Sequence, residues 1–239
     1  MNDLIKDALR RWFQGFGLRL QKYPFYKYPQ DKHNYPELAS RKGSEIMIFD
    51  VGANIGQTSK WFRLEFPEAK IHAFEPFGAI FNELQKNTAN LDVTCHHLAF
   101  SDTSDSRDVP LNTNPLGQTG SIEVTGAGHG ETEKIRLETV DAFCASHGIR
   151  SISILKTDTE GHDANVLKGA SGMLAEGRIE NILSEATIDP HDDGHTNLFG
   201  LMEFLAPFGY ELYSMYDLNH NHLSGKLQYF NALFKRKAQ

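Results

Sequence analysis

Three observations in the chain predict an α/β fold built on a parallel sheet with helices on both faces. From residue 46 onward, short apolar runs alternate with segments of helical spacing. The first run reaches an acid, Asp50, then breaks on Gly52 and Gly56 before a helix-like segment begins. The second run also ends on an acid, Glu75. Alternation of this kind lays strands side by side and packs the intervening helices over them.

The elements follow in order. Residues 3–20 carry Leu4, Ile5, Ala8, Leu9, Trp12, Phe13 and Phe16 at helical spacing, with Lys6, Arg10 and Arg11 opposite. An aromatic, proline-dotted arm follows, and residues 1–43 read as an appendage to a domain spanning 44–239. The helix reads either as a membrane-surface helix or as an appendage packed on its own domain or on a second subunit of a homodimer. Strands are expected at Ile46–Asp50, Lys70–Phe74, Val93–His97, Ile152–Thr157 and Ile179–Glu185. Helices are expected at Thr58–Phe66, Phe77–Asn87, Val140–His147 and Asp163–Leu174. The polar stretch Ser104–Glu133 is too long for a plain connection and reads as a lid or a β-hairpin insertion. A last helix, Asn197–Leu205, leads to Glu211–Tyr216 and Gln228–Lys235, two alternating runs that form a closing antiparallel pair.

Composition narrows the function classes. Hydrophobic residues make up 40% of the 239, enough for a sizeable core, and no apolar run is long enough to span a bilayer. The start of the chain, Met1-Asn-Asp-Leu-Ile-Lys-Asp, lacks the basic and apolar regions of a secretory signal. Cys95 and Cys144 have neither the number nor the spacing of a disulfide framework, so the expectation is a cytoplasmic protein with reduced thiols, membrane-peripheral if the first helix lies on a surface. Residues 1–42 carry nine Lys/Arg against four Asp/Glu, which leaves 15 against 27 for the rest. An acidic body of that kind argues against nucleic acid as the main partner.

The turn after the first strand carries the chemistry. A strand turning through glycines into a helix is expected to leave backbone N–H groups bare around a small molecule. The dinucleotide fingerprint needs three glycines, G-x-G-x-x-G, for a pyrophosphate. Here one glycine is missing from Asp50-Val-Gly-Ala-Asn-Ile-Gly56, and the preceding acid would repel a pyrophosphate. A ligand with an ammonium group and no phosphate, S-adenosylmethionine, suits it better. Glu75 at the end of the second strand can accept both hydroxyls of a ribose.

These blocks, with Ala99-Phe-Ser-Asp102, Leu155-Lys-Thr-Asp-Thr-Glu-Gly161, Val166-Leu-Lys-Gly-Ala170 and Asn231-Ala-Leu-Phe234, resemble the FkbM family of S-adenosylmethionine-dependent methyltransferases over about residues 44–236. The resemblance implies a Rossmann-like class I methyltransferase sheet, order 3-2-1-4-5-7-6 with the seventh strand antiparallel. It also implies O-methylation of a sugar, polyketide or related metabolite. By position, Asp50, Gly52, Asn54 and Gly56 would line the methionine end of the cofactor, and Ala53 and Thr58 of the same segment would also be cofactor-binding. Glu75 would hold its ribose, and Ala99 with Ser101 or Asp102 the adenine edge. One departure stands out. Where family members commonly continue Asp-x-Glu-Gly with an apolar residue and Glu, this chain has His162-Asp163.

Methyl transfer to a hydroxyl needs the acceptor positioned and its proton removed. Asp158 and Glu160 after the fourth strand and Glu185 after the fifth converge on one rim of such a sheet. Asp158 and Glu185 occupy strand ends that carry metal ligands in metal-dependent class I O-methyltransferases, which makes Mg²⁺ an option. A histidine base is another, with His162, His191 and His195 as candidates. In the third, Glu160 and Asp163 only cap the following helix. Lys156 reads as an ion-pair partner of the acids. The acceptor, a small molecule or glycan, would enter between the Ser104–Glu133 loop, the Asp189–Asn197 loop and the N-terminal arm. The rival readings are a dinucleotide-dependent oxidoreductase and a cofactor-binding protein that has lost catalysis.

Overall fold

The computed structural model describes residues 46–110, 132–192, 194–221 and 223–237. The N-terminal helix and aromatic arm, with their membrane and dimer readings, lie outside the described residues, as does the middle of the Ser104–Glu133 stretch. Among the described residues no helix is long and apolar enough to cross a membrane.

The chain begins with β1 (Met47–Val51), α1 (Gln57–Glu65), β2 (Lys70–Phe74), α2 (Gly78–Thr88) and β3 (Val93–His96). After a small inserted sheet come α3 (Val140–His147), β7 (Ile152–Thr157), α4 (Asp163–Lys168), α5 (Ser171–Ala175) and β8 (Ile179–Ala186). Helix α6 (Leu198–Leu205), a short 3₁₀ turn (Ala206–Phe208), β9 (Tyr210–His220) and β10 (Leu227–Arg236) complete it. The main sheet has the order β3-β2-β1-β7-β8-β10-β9. Its first five members run parallel, and β10 is antiparallel to both β8 and β9. Between β3 and α3, β4 (Ala99–Phe100), β5 (Asp105–Pro110) and β6 (Thr132–Glu138) form a separate sheet. Counted without them, the seven strands follow 3-2-1-4-5-7-6.

The insertion follows the hairpin alternative: β5 and β6 pair antiparallel, and the two-residue β4 adds parallel to β6.

Side-chain alternation builds the two core layers. Ile48, Ile71, Ile154, Leu183 and Leu233 point to one face, where Phe62 and Phe66 cover them. Phe49, Phe74, Leu155 and Ile182 point to the other, against Phe143, Leu167, Met173 and Leu201. Each fully buried side chain of this size contributes about 1.5–3 kcal/mol by leaving water. Asp50 and Lys156 share the Ile48 and Ile154 face, being two residues further along adjacent, in-register strands. A buried ion pair is thereby set within an apolar layer.

The predicted helix Asp163–Leu174 is broken into α4 and α5 around Gly169. A Cβ there would stand 2.0 Å from the carbonyl oxygen of Ser101, so helix and β4 approach as only glycine allows. Its amide reaches back to Asn165 O at 3.0 Å, and Ala170 N turns to Leu167 O.

Candidate active site

A cleft opens at the carboxyl ends of β1, β2 and β7, where ligands of open parallel sheets bind. Gly52 and Asn54 line it from the first turn, and Glu75 and Phe77 from the second. Leu98, Ala99 and Phe100 form a third wall, and Asp158, Thr159 and Glu160 a fourth.

The first turn is closed on itself, which corrects the expectation of bare N–H groups. Gly52 and Ala53 both donate to the carbonyl of Phe74, at 3.0 and 2.9 Å. Asn54 N–H donates to Glu75 Oε2 at 3.1 Å, Ile55 N–H to Asn54 Oδ1 at 2.7 Å, and Gly56 N–H to Ala53 O at 2.9 Å. Five consecutive amides are therefore satisfied within the protein. Buried backbone donors that lack a ligand need such partners, and here neighbouring strand ends supply them. A phosphate would find no donor cradle in this turn. Gly52 has φ +75°, and a Cβ there would lie 1.9 Å from Asp158 O, so the first and fourth walls meet through a bare backbone. Asn54 (φ 50°) and Glu160 (φ 53°) are two of the four non-glycine residues with positive φ among those described, and both line the cleft. Such conformations persist where the surroundings over-determine them.

Glu75 is 4% exposed. Its two oxygens accept from Asn54 N–H at 3.1 Å and Phe77 N–H at 3.0 Å, which fixes the carboxylate at the cleft wall. Burial raises its pKa to about 7, against the pull of those two amides.

Asp50 lies beneath the cleft and does not line it. Its Oδ2 accepts from Ser59 Oγ at 2.6 Å, and Lys156 Nζ stands 3.6 Å from its Oδ1. Lys156 also donates to Asp158 Oδ2 at 2.9 Å, as the ion-pair reading expects. Burial alone would lower the Lys156 ammonium, but Asp158 and Asp50 outweigh it and raise its pKa. In return Lys156 holds Asp158 low although burial works the other way. The strand-end acid is thus a buried counter-ion under the turn.

Of the remaining expected cofactor residues, Ala53 is buried in the turn, Gly56 caps α1 with φ +91°, and Thr58 sits in the first turn of α1. Ala99 lines the cleft, whereas Ser101 is buried behind it and Asp102 is exposed. His162 is 1% exposed and lies outside the cleft lining. Its Nε2 is 3.1 Å from Ser101 Oγ and its Nδ1 3.2 Å from Asn165 Nδ2, so the imidazole joins the start of α4 to the end of β4. Asp163 is buried beside it, 3.4 Å from the Thr196 hydroxyl. The departure at residues 162–163 therefore fills an internal joint.

The rim collects acids. Glu185 is hydrogen bonded to Asp158, and burial followed by the charges of Asp158, Asp163 and Glu160 pushes its pKa up to about 10. Burial first, then Asp158, also raises Glu160. Asp158 is committed to Lys156 and shares a hydrogen bond with Glu185, so this pair does not fit an ion held between them. His195 joins the rim from a loop that closes through Thr187 N–H to Thr196 O at 2.9 Å and Leu198 N–H to Thr187 O at 2.8 Å. Its Nδ1 is 2.9 Å from Asp192 Oδ2, its Nε2 is 3.7 Å from Glu185 Oε2, and its ring stacks on Tyr229 at 4.4 Å. Asp192 and Tyr229 stand at positions that motif and spacing do not single out. His191 is exposed, its amide tied to Asp189.

A family model described as the methyltransferase FkbM domain matches residues 50–212. The hexuronic acid methyltransferase AglP of Haloferax volcanii is 27% identical over 146 residues, covering 61% of this chain and 59% of that protein. The 2-O-methyltransferase NoeI of Sinorhizobium fredii is 24% identical over 176 residues, 68% and 72% of the two chains. The 31-O-demethyl-FK506 methyltransferase FkbM of Streptomyces tacrolimicus is 28% identical over 165 residues, 54% and 62%. The chain thus spans about six tenths of the length of AglP and of the Streptomyces enzyme. Among solved structures, methyltransferase FkbM from Methylobacillus flagellatus superposes with a TM-score of 0.51 at 18% identity, over 80% of this chain and 43% of that one. M. capricolum TrmK, solved with S-adenosylhomocysteine, gives 0.50 at 11% identity, over 86% and 70%. Both likenesses concern the fold.

Proposed function

This chain belongs to the FkbM methyltransferase family, and on that premise we propose that it transfers a methyl group from S-adenosylmethionine to a hydroxyl of a sugar, polyketide or related metabolite. The observation that carries the cofactor reading is the self-satisfied turn Gly52–Gly56 beside the fixed Glu75 carboxylate. That wall offers acceptors for a ribose diol and no donors for a pyrophosphate, which speaks against the dinucleotide oxidoreductase. The residues present fit the cofactor: Gly52 and Asn54 at its methionine end, Glu75 at its ribose, and the apolar pair Ala99 and Phe100 beside its adenine.

When bound, the cofactor supplies a methyl group on a sulfonium, electrophilic without further activation. The chain's own contribution is positioning and proton acceptance. Glu75 is held by two backbone amides, so a bound ribose meets a carboxylate that does not have to reorganise. The Lys156 pair with Asp50 and Asp158 locks the ends of β1 and β7 together, fixing the rim against the cofactor side. In this reading Asp158 and Glu160, which line that rim, orient the acceptor hydroxyl, and Glu160, whose pKa is raised by burial, takes its proton. His162, buried between Ser101 and Asn165, serves the frame of the site. Mg²⁺ between Asp158 and Glu185 has no part in this reading, because Lys156 already answers Asp158.

The acceptor class draws on the relatives, whose names specify a hexuronic acid, a 2-O position and 31-O-demethyl-FK506. The acidic body of this chain argues against nucleic acid as the acceptor. Calorimetry with S-adenosylhomocysteine and with NAD tests the cofactor: binding of the first and none of the second is expected, and the reverse would overturn the reading. A methyl-release assay over sugars, uronic acids and macrolide alcohols then tests transfer. Tight cofactor binding with no transfer to any acceptor would favour a degenerate binding protein.

A further inference from the structure

The geometry points to a divalent-cation site formed by Glu160, Glu185 and His195 at the acceptor side of the cleft. One ligand atom from each of these residues lies within 4.8 Å of the others, close enough for a single ion to bridge all three. They come from three separate places in the chain: the turn after β7, the end of β8, and the loop before α6. The set is mixed, two carboxylates and an imidazole.

The imidazole distinguishes this site from an acidic patch. Nδ1 of His195 faces both oxygens of Asp192, at 3.0 and 2.9 Å, so with a neutral ring the proton resides on Nδ1. The Nε2 lone pair then faces Glu185 Oε2 across 3.7 Å, the side on which an ion would sit. A carboxylate that holds the far nitrogen of a ligating histidine is the usual support of a metal-bound imidazole. Stacking on Tyr229 fixes the ring plane, and the hydrogen bonds of Thr187 with Thr196 and Leu198 fix the loop that carries it. Loop closure would otherwise oppose ion binding entropically, and here it is already made.

Charge points the same way. Lys156 is engaged with Asp158 and Asp50 at 2.9 and 3.6 Å. A 2+ ion on Glu160 and Glu185 would replace the proton that Glu185 shares with Asp158 and leave that ammonium in place. Carboxylates suit Mg²⁺ and Mn²⁺ and imidazole suits the first-row transition metals, so Mn²⁺ is the ion that matches both halves of the set. Because Glu160 also lines the cleft, open positions on the ion would face the acceptor. A sugar diol or hydroxy-acid could then be held through its oxygens. This last step rests on the methyl-transfer reading; the ion site itself does not.

The test is titration of the chelator-treated full chain with Mn²⁺ alone, followed by calorimetry and by the loss of free-ion electron paramagnetic resonance signal. One saturable ion per chain is expected. Glu185→Gln and His195→Ala should each weaken it at least tenfold, and Asp192→Asn, which alters the support of the far nitrogen while its Oδ1 can still accept from Gly194 N–H, by about 10–100-fold. Melting temperature and S-adenosylhomocysteine binding report whether each variant is folded, and the near-isosteric Glu185→Gln carries the test if His195→Ala is not. No saturable binding up to about 1 mM Mn²⁺, an affinity of about 4 kcal/mol, would overturn the site. So would binding that His195→Ala leaves unchanged. Cofactor binding is measured separately, so absence of the ion and failure of the methyltransferase reading give different results.

Discussion

The backbone N–H of Asn54 donates to Glu75 Oε2 across 3.1 Å, joining the turn after β1 to the end of β2. The other oxygen of Glu75 holds Phe77 N–H, so one carboxylate fixes two walls of the cleft. That double duty explains why an acid tolerates near-complete burial with its pKa raised to about 7.

Glu75→Gln should weaken S-adenosylhomocysteine binding about 10–100-fold, the range of one or two hydrogen bonds to a charged group. The pH dependence gives a sharper check. The ionised form accepts hydroxyl protons best, so wild-type affinity should rise with pH to about 7 and then level off. The sign for stability is opposite. A carboxyl moved up from 4.5 keeps its proton in the fold while the unfolded chain has released it, so stability falls as pH rises from 4.5 to about 7. At ~1.4 kcal/mol per pH unit this amounts to about 3 kcal/mol. Calorimetry and denaturant melts across that window should show both trends in the wild type and neither in Glu75→Gln.

Gly52→Ala should be severe. Its Cβ would meet Asp158 O at 1.9 Å, and the residue is held at φ +75°. Left-handed backbone costs a non-glycine residue about 1–2 kcal/mol, and overpacking adds about 1–3 kcal/mol. At ~2–4 °C per kcal/mol for a chain of this size, melting should drop by roughly 4–20 °C. Cofactor affinity should fall with it, because the first and fourth walls separate.

Much of the frame was legible in the chain. The bounds of β2, β7 and α3 match the apolar runs because strong punctuation encloses them. Thr139 caps α3 with its hydroxyl, and Gly148 ends it in the left-handed region. The break at Gly169 was hidden, since helical periodicity continues through it and only the approach of Ser101 O forces the interruption. The two-residue β4 is too short for any pattern. At the site, Gly52, Asn54, Glu75, Ala99, Asp158 and Glu160 come together as position along the strands suggests. That Asp50 lies beneath the cleft follows from strand register with Lys156, which local sequence does not specify. His195 reaches Glu185 through a loop closed at Thr187 and Thr196, a tertiary fact without a local signal.

His162→Ala separates a structural role from a catalytic one. The change removes the link from Nε2 to Ser101 Oγ and leaves a void between β4 and α4, while the hydroxyl keeps Asp102 Oδ1 as its acceptor at 3.1 Å. The lost hydrogen bond costs about 0.5–1.5 kcal/mol and the cavity adds to it. Melting should fall by roughly 4–12 °C, with S-adenosylhomocysteine affinity changed less than about threefold, about 0.7 kcal/mol. An unchanged melt accompanied by lost turnover would instead return His162 to the chemistry.

The histidines of β2 and β3 should make the fold acid-sensitive. His72 Nδ1 lies 2.9 Å from His96 Nε2, and the two rings stack at 5.1 Å with Phe74 against His96. That contact needs one ring to donate and the other to accept, so at least one imidazole must stay neutral. Burial pushes His96 down to about 4, helped by the nearby charges of His72, His147 and Arg136. Burial, then His147 and Lys70, lowers His72 as well. A histidine with a depressed pKa is neutral in the fold while the unfolded chain takes up its proton from about 6.5 downward. Stability from this pair is therefore full above 6.5 and is lost as pH falls toward 4. Glu75 and Glu185 work in the opposite sense above 4.5, so the contribution of the stack is read from the difference between variant and wild type. His96→Phe keeps a ring against Phe74 and removes the titrating group. Melting temperatures measured from pH 7 to pH 4 should fall less steeply in this variant than in the wild type. Equal slopes in the two proteins would mean that the stack does not govern acid unfolding.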